Sequence, residues 1–151
     1  MTKRLLIAIA VMMALSFLPQ TFSAQARSAW TAPKLGVWKV SGKDEEGLGW
    51  AGSIRFDSRT RVGSVDKLRG HFTWRSSDGK DSGREYFGGS FNRITSRIVI
   101  VGTRLSRVKG ELALGRYYAF VRNKGRRLSN GTWGGKDVVK GKWTAVWVRS
   151  R

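Results

Sequence analysis

The sequence predicts an all-β domain, an antiparallel up-and-down barrel of about eight strands preceded by a cleaved signal peptide. Three observations predict it. All 19 glycines fall after residue 35, at about twice the usual frequency of roughly 7%. Between them, short segments alternate apolar and polar residues with period two, as half-buried strands require. No window of helical period competes with this pattern.

The elements follow in order. A first strand is expected over Lys34 to Val40 and a second over Leu48 to Asp57. In the second, Trp50, Gly52, Ile54 and Phe56 share one face. The third, Leu68 to Ser76, alternates most regularly, with Leu68, Gly70, Phe72 and Trp74 inward and Arg69, His71, Thr73 and Arg75 outward. Ser77-Asp78-Gly79-Lys80 contains Asp-Gly, a strong hairpin signal. Further strands are expected over Arg84 to Asn92, Ile98 to Leu105 and Gly115 to Arg122. Asn123-Lys124-Gly125 turns the chain into a seventh strand, Arg126 to Trp133. A link through Gly134, Gly135 and Gly141 precedes the eighth, Lys142 to Arg149, with Trp143, Ala145 and Trp147 on one face.

Eight consecutive strands on short loops favour a closed barrel over a two-sheet sandwich, because closure removes exposed sheet edges. A barrel of this size is either filled by side chains or holds one small ligand. Glycines within the strands supply the bends that such a small barrel needs.

Ahead of this domain, Lys3 and Arg4 precede an apolar run from Leu5 to Leu18, broken by Pro19. The run is 14 residues long, short of the roughly 20 that span a bilayer. It ends in Ala24-Gln25-Ala26, the small-x-small pattern of a signal peptidase site. Residues 1–26 therefore read as a signal peptide and residues 27–151 as a single domain, periplasmic or secreted from a bacterium. With no cysteine in the chain, the domain must hold together by packing, without disulfides.

Charge is the second strong feature. The chain has 29 Lys and Arg and 10 Asp and Glu, and Lys3 and Arg4 lie in the leader, leaving 27 against 10, or +17, on the domain. Such a charge favours anionic partners such as acidic polysaccharide or lipid head groups. Arg55, Arg69, Arg75 and Arg84 fall on the outer faces of neighbouring strands and are candidates for a basic stripe. Basic stripes with aromatics also mark single-strand nucleic-acid grooves, but export ranks nucleic acid below the other partners.

Catalytic chemistry finds little support. The single histidine, His71, falls on the outer face of its strand, and one histidine without cysteine makes no transition-metal cluster. The acidic groups Asp44-Glu45-Glu46 and Asp78/Asp81 sit in turns, where they read as turn formers and local counter-charges. No catalytic residue, metal site or cofactor is assigned. The aromatics are more informative. Seven tryptophans follow the leader, most of them expected in the core. Trp50, Trp74, Trp133 and Trp143 are the candidates to line a cup for a flat or sugar-like ligand.

Gly36-Val37-Trp38 is similar to the Gly-x-Trp that opens the barrels of the calycin group, which includes avidins and lipocalins. Arg149 resembles the basic residue that lipocalins lay across that tryptophan at the closed end of the barrel, and Arg84 to Phe91 resembles the middle hairpin strand of the avidins. The resemblance implies a ligand-holding barrel with Gly36, Trp38 and Arg149 at its closed end. It does not imply biotin: Lys39-Val40-Ser41-Gly42 follows Trp38 where avidins place an Asn, and residues 143–149 contain no carboxylate. The expected function is that of an exported, non-enzymatic binding protein, holding a small ligand or docking an anionic surface. A protein-directed inhibitor or interaction protein of the bacterial envelope is the alternative.

Overall fold

Alternation carries through into the structure, a computed structural model describing residues 30–136 and 138–150. The expected signal peptide, residues 1–26, lies outside the described residues. Eight antiparallel strands follow one another: β1 (Gly36–Asp44), β2 (Gly49–Val62), β3 (Val65–Ser76), β4 (Ser82–Asn92), β5 (Arg97–Lys109), β6 (Arg116–Arg122), β7 (Arg127–Gly135) and β8 (Val138–Arg149). Each pairs with the next, and β8 pairs back onto β1 with Trp38 opposite Trp147 and Val40 opposite Ala145, closing the barrel. No helix among the described residues is long and apolar enough to cross a membrane.

In β3, Leu68, Gly70, Phe72 and Trp74 are buried, while Arg69, Thr73 and Arg75 are exposed. The Asp-Gly turn forms with Gly79 at φ +74°, and Asp78 Oδ1 accepts from Ser76 Oγ (2.7 Å) and from the Lys80 N–H (3.1 Å). Asn123, Lys124 and Gly125 all take positive φ in the β6–β7 turn.

Several boundaries differ from expectation. The β2–β3 hairpin runs on to Val62 and Val65, although Ser58 to Val62 are exposed on both faces. Backbone pairing and polar side-chain bonds extend the ladder there, so no apolar alternation announces it. Gly134 and Gly135 belong to β7 and Gly141 to β8, where a Gly-rich link was expected. Lys34 is not in β1; its N–H donates to the Gly125 carbonyl (2.9 Å) within a segment that crosses one end of the barrel.

That segment closes its end. The Trp30 N–H donates to the Arg93 carbonyl (2.8 Å), Arg59 Nη1 to the Pro33 carbonyl (3.1 Å), and Trp147 Nε1 to the Leu35 carbonyl (3.1 Å). Behind it, Trp38, Phe56, Leu68, Phe91, Ile98, Val121 and Leu128 are fully buried. Trp38 meets Phe56 edge-on at 5.7 Å, and Phe56 meets Phe87 at 5.6 Å. Full burial of such side chains contributes about 1.5–3 kcal/mol each. This half of the barrel is packed with side chains. The turns after β1, β3, β5 and β7 gather at the opposite end, which stays open.

Candidate functional site

A cavity of about 540 Å³ opens at the uncovered end. Trp50 at the start of β2, Trp74 near the end of β3, Tyr117 on β6 and Trp133 on β7 form its aromatic wall. Residues at the strand ends and turns complete it, among them Asp44 at the end of β1, Glu46 and Leu48, then Asp81, then Glu111 and Leu112, and finally Val139 at the start of β8. Closure is what joins them, since these turns are far apart along the chain.

The wall is held in place by specific contacts. Trp50 Nε1 donates to Asp44 Oδ2 (3.1 Å), whose other oxygen accepts from the Leu48 N–H (2.8 Å). Trp133 Nε1 donates to the Val139 carbonyl (2.8 Å). The Trp133 ring fits only because Gly42 and Gly141 flank it; a Cβ at either would stand 2.3 Å from a ring carbon. Trp74 stacks on Phe72 at 4.9 Å and 17°, and lies 6.1 Å from both Tyr117 and Trp133.

A buried carboxyl stands behind this wall. Glu85 points inward from β4 and is fully buried. Its Oε1 accepts from the Gly115 N–H (2.7 Å) and its Oε2 from the Tyr117 hydroxyl (2.5 Å). Gly102 makes room for it, since a Cβ there would lie 2.0 Å from Oε1. Burial pushes the Glu85 pKa up against the opposing pull of these two hydrogen bonds, and burial beside Glu85 raises that of Tyr117 well above the ordinary phenol value. Sequence reasoning missed Glu85 as a site residue. Its signal was a carboxylate on the inward parity of β4, two residues before the buried Phe87.

The structure sorts the candidate tryptophans. Trp50, Trp74 and Trp133 share the cavity. Trp143 is not part of its lining; it is buried deeper, edge-on to Phe72 and Tyr117, with Nε1 donating to the Thr132 carbonyl (3.1 Å).

The four candidate arginines lie on the outer faces of β2–β4. Arg55 Nε pairs with Asp57 Oδ1 at 2.9 Å, and the other Asp57 oxygen lies 3.3 Å from His71 Nδ1. Partial burial, opposed by Asp57, holds the His71 pKa below its ordinary value. Arg69 is exposed opposite Gly88. Arg75 and Arg84 share an outer groove of about 400 Å³ with Arg107. Sequence reasoning passed over Arg107, which turns at a positive φ of 53° within β5.

At the closed end, Gly36 has φ +108° and a Cβ there would lie 2.3 Å from the Arg149 carbonyl oxygen. Trp38 is buried, with Nε1 donating to the Lys34 carbonyl (2.9 Å). The expected stacking of Arg149 on Trp38 is corrected. Arg149 is exposed opposite Val37, and a register shift between Val37 and Trp38 separates the two. The cations at this end flank the half-buried Trp147 instead, with Lys34 at 5.1 Å and Arg126 at 5.5 Å from its ring centre.

Comparison with known proteins agrees on architecture. No family model and no curated protein matches the sequence. Among solved structures, a redesigned β-barrel, mFAP1, bound to DFHBI is similar at 15% identity and a TM-score of 0.52, over 74% of this chain and 93% of that one. A de novo designed fluorescence-activating β-barrel is similar at 13% identity and a TM-score of 0.50, over 76% of this chain and 94% of the other. At these identities the likeness is one of fold. Among the described residues, no group of three His, Asp or Glu side chains is placed to hold a metal ion.

Proposed function

We propose that this chain is an exported, non-enzymatic binding protein whose open cup holds a small ligand. One observation carries the reading: the closed end is packed with side chains, while the open end keeps a cavity of about 540 Å³ whose lining includes Trp50, Trp74, Trp133 and Tyr117. Concave, mostly aromatic sites with a few polar groups at the edge are the usual form of small-molecule sites. The similar redesigned barrel is bound to DFHBI, and the present reading gives the cup of this chain the same kind of task. Export rests on the leader pattern of residues 1–26.

The neutral fluorescent probe N-phenyl-1-naphthylamine tests the cup. Saturable binding is expected, weakened about threefold to tenfold by Trp50→Ala, since one aromatic contact is lost. Trp50 is half-buried at the rim, so the melting temperature should move little. Absence of saturable binding, or binding indifferent to Trp50, sinks the reading.

A second reading concerns the outer wall. The groove shared by Arg75, Arg84 and Arg107 favours docking of an anionic polymer or head group. Arg84 Nε is buried there without a hydrogen-bond partner among the described residues, a donor that an incoming anion would satisfy.

A further inference from the structure

The cup has the opposite charge to the rest of the molecule. Four of the chain's ten Asp and Glu residues, Asp44, Glu46, Asp81 and Glu111, line this one cavity, and none of its 29 Lys and Arg does. Elsewhere three acids are matched to cations: Asp57 pairs with Arg55, Asp66 with Arg93 and Asp78 with Lys80. Among the described residues no ion pair reaches any of the four carboxylates at the mouth. Two of them also shape turns. Asp44 accepts from the Leu48 N–H and Trp50 Nε1, and Asp81 Oδ1 accepts from the Glu111 N–H (2.7 Å). Accepting a hydrogen bond leaves their charge in place.

Below the carboxylates stand Trp50, Trp74, Tyr117 and Trp133, whose ring faces carry the negative side of the aromatic quadrupole. Trp74 is only 4% exposed, with its indole N–H directed at the Glu85–Tyr117 pair.

We propose that the cup takes a small organic cation, an alkylated or aromatic ammonium whose apolar body lies against the indoles and whose charge lies among the mouth carboxylates. This rests on the cup being a ligand site and adds the class of ligand. The +17 of the domain does not oppose it at short range, because exposed charges are screened over about 8 Å at physiological ionic strength. Inside the mouth, low-dielectric walls focus the field of the nearest charges, and those are negative. An anion of the same shape meets four carboxylates with no Lys or Arg in the lining and is disfavoured. One molecule would then hold surfaces for both signs, cations in the cup and anions in the arginine groove on its outer wall.

The test is competition against bound N-phenyl-1-naphthylamine by three probes of similar shape: phenyltrimethylammonium, its neutral isostere tert-butylbenzene, and benzenesulfonate. The ammonium is expected to displace the probe at concentrations at least about tenfold below those of tert-butylbenzene, and the sulfonate not at all, given a cation within an aromatic cage. Glu46→Gln with Glu111→Gln should remove most of that preference, about tenfold for two exposed charges at low salt. The preference is read as the ratio of ammonium to tert-butylbenzene affinity within each protein, so any change in neutral binding cancels. Asp57→Asn, a charge change away from the mouth, should alter none of these values. Equal displacement by the ammonium and its isostere, or better displacement by the sulfonate, overturns the proposal while the cup stands. Failure of N-phenyl-1-naphthylamine to bind at all overturns the cup itself, and the cation with it.

Discussion

Glu85 is the residue whose environment departs furthest from what its chemistry prefers. A carboxyl with no exposed surface keeps two hydrogen bonds, from Tyr117 and Gly115, yet burial still raises its pKa above the ordinary 4.5. The sign of the consequence follows from linkage. A raised folded-state pKa means that the folded protein binds the proton more tightly than the unfolded chain. The stabilisation is complete below the unfolded value and is lost as pH rises through the folded one. Unfolding in urea across the range from pH 4 to pH 8 should therefore show wild type losing stability relative to Glu85→Gln as pH rises above about 4.5. Parallel curves for the two proteins would mean that Glu85 keeps its ordinary pKa. The amide oxygen of the variant can accept from only one of Tyr117 and Gly115, which offsets its stability by a constant. The ionisation is therefore read from the change of the difference with pH.

At the scale of elements, the segment ahead of β1 acts as the floor of the barrel. Ala32 is buried, Trp30 lies under the Arg122 guanidinium at 4.9 Å, and the backbone of residues 30–35 is tied to Arg93, Gly125, Arg59 and Trp147. A chain starting at Lys34 should be less stable than one starting at Arg27 by about 1–3 kcal/mol, for a lost cation–aromatic contact and at least one hydrogen bond. Denaturant midpoints of the two proteins measure this. Coincident midpoints would show that the strands alone close that end. The β2–β3 hairpin makes the complementary point. Its β2 arm, Ser58 to Val62, is exposed on both faces, paired by the ladder and tied by Arg59 to the Pro33 carbonyl, so a polar stretch became strand without any apolar pattern to reveal it.

Considered as a whole, the molecule separates its charges. The mouth of the barrel collects acids, while the outer wall of β2–β5 carries Arg75, Arg84 and Arg107 around one groove. If that groove docks anions, Arg75→Gln with Arg84→Gln should elute from a heparin column at clearly lower salt than wild type. Lys39→Gln with Arg127→Gln, exposed on β1 and β7, removes the same charge from another wall and should shift elution less. Stability should change by no more than about 1 kcal/mol in the Lys39 and Arg127 pair, since exposed charges add little to folding. Equal shifts in the two pairs would show that retention follows net charge with no preferred face.

The sequence by itself determined the strands and which of their faces turn inward. Leu68, Phe72 and Trp74 could be assigned to the interior because a period-two pattern is local, and each residue reports its own side of the pleat. Trp50, Trp74 and Trp133 were legible as cup candidates on the same ground, as was the Asp-Gly turn. Only the tertiary structure decided which end of the barrel is open, that Trp143 lies behind the wall, and that Arg149 stays away from Trp38. It also decided that Asp44, Glu46, Asp81 and Glu111 share one mouth and that Arg107 joins Arg75 and Arg84. Those neighbours lie tens of residues apart and meet only when β8 closes on β1. Closure is a non-local event: the pattern along a strand fixes the face of each side chain, while register and bulges between strands fix its neighbours.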